Sequence, residues 1–200
     1  MEQLWRVFGS AAVGLLALVP VGAAVVCVLA WVRARRMRRR DAWLSALLDV
    51  ALVAAFLPVL YLVFVPVPGL EGRMMISLAP GAGIVPIFGG DGGTPARSAL
   101  MQALGNIALL APLAALVPLR ISRLRSVPKV VLAALLLSVG IECAQWLLQL
   151  GRVSATDDVL LNTFGAALGA SATRHWWKPR RAQKTIDQVR GAESPTALLR

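Results

Sequence analysis

Residues 7–40, VFGSAAVGLLALVPVGAAVVCVLAWVRARRMRRR, contain the pattern that decides the fold of this chain. The first 26 of these residues carry no charge, and six arginines follow within the next eight. A helix needs about 20 apolar residues to cross the roughly 30 Å hydrocarbon core of a bilayer. The pattern therefore predicts a membrane-spanning helix that is followed by a basic cluster.

The same pattern continues along the rest of the chain. Of its 200 residues, 58% are hydrophobic and 16% are charged, whereas soluble domains average about 45–50% apolar and about 25% charged residues. We predict an all-α, polytopic bundle of five transmembrane helices, and a soluble globular core is excluded. The predicted spans are about 7–32, 42–67, 98–119, 130–151 and 158–175. The last is short, and four spans with a re-entrant or tilted last run are the alternative. Trp176 and Trp177 after it suit a membrane interface.

The positive charges are unevenly divided between alternate connections of these spans. Of the 21 Lys and Arg residues, 17 lie in residues 33–40, 120–129 and the tail from 174 onward. Five spans place these clusters on one face, and the positive-inside rule makes that face cytoplasmic. We predict an outside N-terminus, a cytoplasmic C-terminus, a membrane domain over 1–175 and a basic tail over 176–200.

The net charge of +11 therefore concerns orientation, and no nucleic-acid partner is predicted. Basic segments beside membrane helices commonly rest on anionic headgroups. The predicted partner of these segments is the lipid bilayer, and the predicted location is a bacterial plasma membrane that the chain crosses several times. The lone His175 and two intramembrane cysteines, Cys27 and Cys143, form no ligand set, so no metal site, disulfide or cofactor is predicted.

The longest predicted outer connection covers residues 68–97. Its segment 81–95, GAGIVPIFGGDGGTP, is rich in Gly and Pro, which favours irregular turns over a helix or strand. The segment lacks the Lys of a phosphate loop and the spaced acids of a calcium loop. We expect a flexible extracytoplasmic loop.

Polar residues within or beside the last three predicted spans are the candidate functional residues. Such residues are costly in hydrocarbon and face protein or a water-filled cavity. This candidate cluster comprises Asn106, Glu142, Gln145, Arg152, Asp157, Asp158 and Asn162. At a rise of 1.5 Å per residue, its intramembrane members lie within roughly 13 Å of the predicted outer face. Glu142, Gln145 and Gln149 should share one helix face. We therefore predict an outward-opening polar cluster.

Two interpretations of this cluster remain open. In the structural one, Arg152 pairs with an aspartate and the polar groups lock a helical hairpin. Glu142 is then protonated and bonded to Gln145 or Asn106. In the functional one, the cluster binds a ligand or transfers protons. Asp49 lies apart, in the inner half of the second span, and is expected to be neutral or paired.

Small residues and prolines indicate where helices pack closely. Gly165 and Gly169 form a G-x-x-x-G pattern, which lets helix backbones approach each other. Pro112 and Pro118 should kink or end the third helix and free backbone carbonyl groups.

The order of these residues carries a family resemblance. N-x5-P begins at Asn106, E-x2-Q begins at Glu142, and R-x4-D-D-x3-N-x2-G-x3-G begins at Arg152. The set resembles the VanZ-like family of bacterial membrane proteins over residues 106–170. The founding member is associated with low-level resistance to the glycopeptide teicoplanin, so the resemblance implies an accessory membrane protein. It also implies that the candidate cluster is the polar signature of the family.

Three functions fit these residues. A non-enzymatic envelope protein would bind a lipid-linked or amphiphilic molecule at the outer leaflet, and we favour this function. A membrane enzyme would use Glu142 with Asp157 or Asp158 as acid and base. Arg152 would then hold an anionic group of the substrate. A proton-coupled transporter would use Glu142 and Asp49, and without an inverted repeat it would require a homo-oligomer.

Overall fold

The computed structural model describes residues 17–66, 75–89, 93–149, 151 and 153–177. Over these residues the chain forms five α-helices and two strands of three residues each. The helices are α1 (Val19–Ala34), α2 (Arg39–Phe64), α3 (Thr94–Arg120), α4 (Val127–Leu147) and α5 (Thr156–Thr173). The strands are β1 (Met75–Ser77) and β2 (Val153–Ala155). The predicted all-α fold is confirmed.

The helices occupy the predicted apolar runs with shifted ends. α2, α3 and α4 begin three or four residues earlier than predicted. Prolines lie in the first turns of α3 and α4. Proline fits a first turn because the N–H that it lacks would have no partner within the helix there. α4 ends at Leu147, since Gln149 and Gly151 have positive φ angles of 51° and 71°. The prediction that Gln149 shares a helix face with Glu142 is therefore wrong.

Three of the described helices, α2, α3 and α4, are long and apolar enough to cross a membrane. α1 is apolar over its 16 residues. The number of spans and the orientation stay predictions, as does the tail over 176–200, most of which lies outside the described residues. Residues 7–16 of the first predicted span lie outside them as well.

Successive helices run in opposite directions, so the bundle has two ends. We call the end that carries residues 75–89 and 153–158 the loop end. The opposite end, which carries residues 33–39 and 120–129, is the basic end. The starts of α3 and α5 and the ends of α2 and α4 therefore meet at the loop end.

The closest helix contact joins α3 and α5. A Cβ atom on Gly165 would lie 1.9 Å from the carbonyl oxygen of Ile107, and one on Gly169 would lie 2.1 Å from that of Ala111. One turn further, the Thr173 hydroxyl donates to the carbonyl oxygen of Ala115 at 2.9 Å. The G-x-x-x-G pattern thus places the backbones of the two helices in direct contact.

The prolines of α3 do not end that helix early. Pro112 and Pro118 both lie inside it, and α3 continues to Arg120. The Arg125 Nε–H donates to the carbonyl oxygen of Pro118 at 3.1 Å, so a side chain from the following turn satisfies one acceptor at the end of α3. Trp177, predicted at the interface, is buried and donates its indole N–H to Thr173.

The expected irregular loop contains regular structure. β1 pairs in parallel with β2, with Ser77 opposite Ala155, and a 3-10 turn covers Val85–Phe88. The strand lies before the Gly- and Pro-rich segment, in three residues, MIS, that are too short to show a period of two. The pairing ties the loop to the connection between α4 and α5, which closes the loop end of the bundle.

At the basic end, Asp49 joins three helices. Its carboxylate accepts from Arg33 of α1 at 2.7 Å and from Arg120 of α3 at 2.7 Å. Arg33 also donates to Ser45 of α2 at 3.1 Å. Asp49 is therefore paired, which is one of its two expected states.

Candidate functional site

Asp157 fixes the loop that contains residues 81–83 onto the bundle. It lies in the first turn of α5, where a carboxylate interacts favourably with the helix dipole. Its two oxygens accept from the backbone N–H groups of Gly81 at 2.6 Å and Gly83 at 2.8 Å. Gly81 has a φ angle of +90°, which favours glycine, and a Cβ on Gly83 would lie 3.1 Å from the Asp157 carboxylate. Both glycines therefore suit their positions in this contact.

Asp158 connects α5 to α3. Its Oδ1 atom accepts hydrogen bonds from the amide groups of Asn106 and Gln102, the latter at 3.2 Å. Gln102 precedes Asn106 by four residues and so shares its helix face. The predicted meeting of Asn106 with the start of α5 is therefore present in the structure.

These groups border a cavity of roughly 220 Å³ at the loop end. Asp157, Asp158 and Gln102 supply its charged and amide side chains. The rest of the wall comes from residues 82–84, both strands, α3 and α5, and includes Ser77, Ala82, Ala99 and Ala155. The cavity therefore combines two carboxylates and an amide with small and apolar surface.

Glu142 lies beside this cavity without lining it. The side chain is 9% exposed, and its Oε2 atom accepts from the backbone N–H of Ala155 at 3.2 Å. The Ser154 hydroxyl donates to the backbone carbonyl of Glu142 at 3.0 Å. Both contacts hold β2 against α4, so Glu142 supports one wall of the cavity.

Gln145 and Asn162 point to other parts of the bundle. Gln145 is 7% exposed, and its amide donates to the carbonyl oxygen of Leu62 in α2 at 3.1 Å. Asn162 is 1% exposed and donates to the Ser138 hydroxyl of α4 at 2.9 Å. The Asn162 Oδ1 atom is buried with no hydrogen-bond partner among the described residues. These two residues join helices and stand apart from the cavity.

Six of the seven candidate residues are thus divided between two tasks. Asp157 and Asp158 line the cavity, and Asn106, which does not line it, donates a hydrogen bond to Asp158. Glu142, Gln145 and Asn162 cross-link β2 and the helices, and the hydrogen bonds described for Glu142 join it to Ala155 and Ser154 in place of the expected Gln145 or Asn106. Arg152 lies outside the described residues.

Four residues of this region were missed by the sequence analysis. Gln102 lies four residues before Asn106, and Ser138 lies four residues before Glu142. This spacing places each pair on one helix face and could have identified Gln102 and Ser138 as members of the cluster. Gly81 and Gly83 had no such signal, because their role depends on a contact with a residue more than 70 positions away.

The chemistry of the cavity favours binding through hydrogen bonds and charge. The Asp158 carboxylate can accept from an ammonium group or from hydroxyl groups, and the Gln102 amide can both donate and accept. Asp157 is 4% exposed and both its oxygens accept from the loop glycines, so it adds negative charge to the wall. Among the described residues there is no group of three or more His, Cys, Asp or Glu side chains that could hold a metal ion.

Comparison with known proteins gives the family. No curated protein and no solved structure matches the chain. A family model described as VanZ/LLP1 matches residues 50–177, which include α3, α4, α5, both strands and the cavity-lining aspartates. This match covers well over half of the 200 residues. The chain therefore belongs to the VanZ/LLP1 family.

Proposed function

We propose that this protein is a non-enzymatic envelope protein that binds the polar group of a lipid-linked or amphiphilic molecule at the outer leaflet. The loop-end cavity with Asp158 on its wall is the observation that carries the proposal. A ligand pocket commonly combines apolar surface with a few fixed polar groups. Asp158 is held in place by Asn106 and Gln102, so its carboxylate is oriented before a ligand arrives.

The position of the cavity favours an amphiphilic ligand over a small polar solute. Its floor lies at the starts of α3 and α5, and α3 is long and apolar enough to span a membrane. A ligand whose polar group occupies the cavity can therefore keep its hydrocarbon part in the bilayer. The carboxylates favour a polar group that carries an amine or several hydroxyls.

The family supplies one concrete candidate ligand. The founding member of the VanZ-like proteins is associated with teicoplanin resistance, and teicoplanin is a glycopeptide with an acyl chain. The proposed role in this chain is to bind such a molecule at the membrane surface and alter its access to its target. The contacts of Glu142 with β2 and of Asp49 with two arginines favour structural roles for both acids.

Binding to the purified full-length chain in phosphatidylcholine nanodiscs tests the proposal. The probes are teicoplanin and its deacylated core, and the readout is the dissociation constant from fluorescence titration. We expect teicoplanin to bind more tightly than its core. Asp158→Asn should weaken binding by about tenfold, since a hydrogen bond to a charged group contributes about 1.5–3 kcal/mol.

Asp41→Asn is the matched control. It makes the same acid-to-amide change at the basic end, in the first turn of α2, and should leave the dissociation constant unchanged. Equal binding by Asp158→Asn and wild type, with both proteins folded, would contradict a role for the cavity. Absence of teicoplanin binding in all variants would contradict the link to glycopeptides.

A further inference from the structure

A second cavity lies in the flank of the bundle, between α2, α3 and α4. It measures roughly 210 Å³ and shares no residue with the loop-end cavity. Its wall is hydrocarbon throughout and includes Phe56, Leu113, Val117, Leu124, Val130 and Ala133. Phe56 and Leu137 are 39% and 38% exposed, so the groove opens to the outside of the bundle.

The groove extends along one half of the bundle. Leu124 and Val130 lie at the basic end, while Leu110 and Leu137 each lie ten residues from the basic-end terminus of their helices. Ten residues correspond to about 15 Å of helix. Since the whole hydrocarbon core is about 30 Å thick, the groove spans the depth of one leaflet.

Three cations are sequence neighbours of the residues that line the basic end of the groove. Arg123 and Arg125 are the neighbours of Leu124 in the sequence, and Lys129 is the neighbour of Val130. All three cations are exposed. The Nε–H of Arg125 is bonded to the carbonyl oxygen of Pro118, which orients the guanidinium group and leaves its terminal N–H groups available.

Acidic residues are absent from the segment of the sequence that carries these cations. Residues 120–141 contain no Asp or Glu, and the nearby Asp49 is engaged by Arg33 and Arg120. Three exposed cations in the connection at the basic end of an apolar groove are complementary to a lipid with an anionic headgroup and an acyl chain.

We infer that the groove and these cations form a binding site for one anionic phospholipid of the leaflet at the basic end. The acyl chain lies in the groove, and the phosphate is bound by Arg125 together with Arg123 and Lys129. A second copy of the chain is the less suitable occupant. A stable interface buries about 1,200–2,000 Å², and a two-fold partner would bring the same three cations face to face.

Native mass spectrometry of the full-length protein tests this site. The detergent-solubilised chain is mixed with equal amounts of palmitoyl-oleoyl phosphatidylglycerol and phosphatidylcholine, which differ only in the headgroup. We expect the single-lipid adduct to favour phosphatidylglycerol by at least about tenfold, because each cation near an anionic lipid contributes a several-fold preference.

Two sets of variants distinguish binding of the lipid headgroup from binding of its acyl chain. Replacing Arg123, Arg125 and Lys129 with Gln should reduce the preference to about one. The control removes three other exposed cations of the same end, Arg36, Arg38 and Arg40, and should keep the preference.

Ala133→Trp should fill the groove and lower the adduct with both lipids at least fivefold. Ala24→Trp, at an exposed alanine of α1 outside the groove, should not change it. The milder Ala133→Leu should give a smaller loss with less effect on folding. Equal adducts of the two lipids in wild type would overturn the inference, as would unchanged adducts in the folded Gln and Ala133 variants. A dimer without bound lipid would also overturn it.

Discussion

At the residue scale, the α3–α5 contact depends on the absence of a side chain. Gly165 and Gly169 leave no space for a Cβ atom, because the backbone carbonyls of α3 lie 1.9 and 2.1 Å from where it would be. In a bilayer, helices associate through close packing and not through burial of apolar surface. These two positions should therefore tolerate substitution poorly.

We predict that Gly165→Ala lowers the free energy of unfolding by about 1–3 kcal/mol or more, since overpacking of a tight contact has costs of this size. Gly140→Ala is the control, because Gly140 lies inside α4 and has no atom within 4 Å of the added Cβ. Thermal unfolding in detergent compares the two variants. Equal stability would contradict the close approach.

The ion-pair cluster at the basic end gives a second prediction at this scale. Asp49→Asn should destabilise the fold by about 2 kcal/mol, the size expected for lost hydrogen bonds to a charged group. Arg33 and Arg120 would then face each other without an anion. The measurement is a double-mutant cycle of Asp49→Asn with Arg120→Gln, in which the double variant should lose less stability than the two single losses combined. Additive losses would show that the pair does not interact.

At the element scale, the helices were predictable and the strands were not. Each helix follows from an apolar run, which is a local property of the sequence, and three of the described helices are long enough to cross a membrane. The pairing of β1 with β2 joins residues 78 positions apart and follows no alternating pattern. The observed helix starts precede the predicted ones because charged residues and prolines fit the first turn of a helix. The end of α4 precedes the predicted one because Gln149 and Gly151 have positive φ angles.

The candidate site was predicted in part for the same reason. Asn106 and Asp158 were both predicted near the same face of the membrane, from their positions along their spans. The contacts of Gln145 with Leu62 and of Asp157 with the loop glycines depend on tertiary packing. Sequence spacing contains no information about such partners.

The strand pairing predicts a specific cross-link. Ser77 and Ala155 are register partners, and both line the loop-end cavity. Cysteines at these two positions, in a Cys27→Ala and Cys143→Ala background, should form a disulfide on mild oxidation because paired Cα atoms lie within disulfide range. Cysteines at positions 77 and 154 are the control, since neighbouring strand residues point to opposite faces. Non-reducing mass spectrometry of a proteolytic digest identifies the bond, and a bond in the control alone would show a different register.

At the scale of the whole molecule, the two ends of the bundle are chemically opposite. The loop end presents the carboxylates of Asp157 and Asp158 in a cavity, and the basic end presents Arg123, Arg125 and Lys129 beside an apolar groove. This division explains how a strongly basic chain can hold an acidic site. It also means that the proposed function depends on which face of the membrane each end occupies.

The proposed function requires the loop-end cavity to open on the outer face of the membrane. Ala82 is exposed on the cavity wall and Ser122 is exposed at the basic end, so Ala82→Cys and Ser122→Cys report on the two ends. Each is placed in the chain without Cys27 and Cys143, and intact cells are treated with a membrane-impermeant maleimide. We predict that Ala82→Cys is labelled in intact cells, whereas Ser122→Cys is labelled only after permeabilisation. Labelling of Ser122→Cys in intact cells, with Ala82→Cys protected until permeabilisation, would contradict the proposed function.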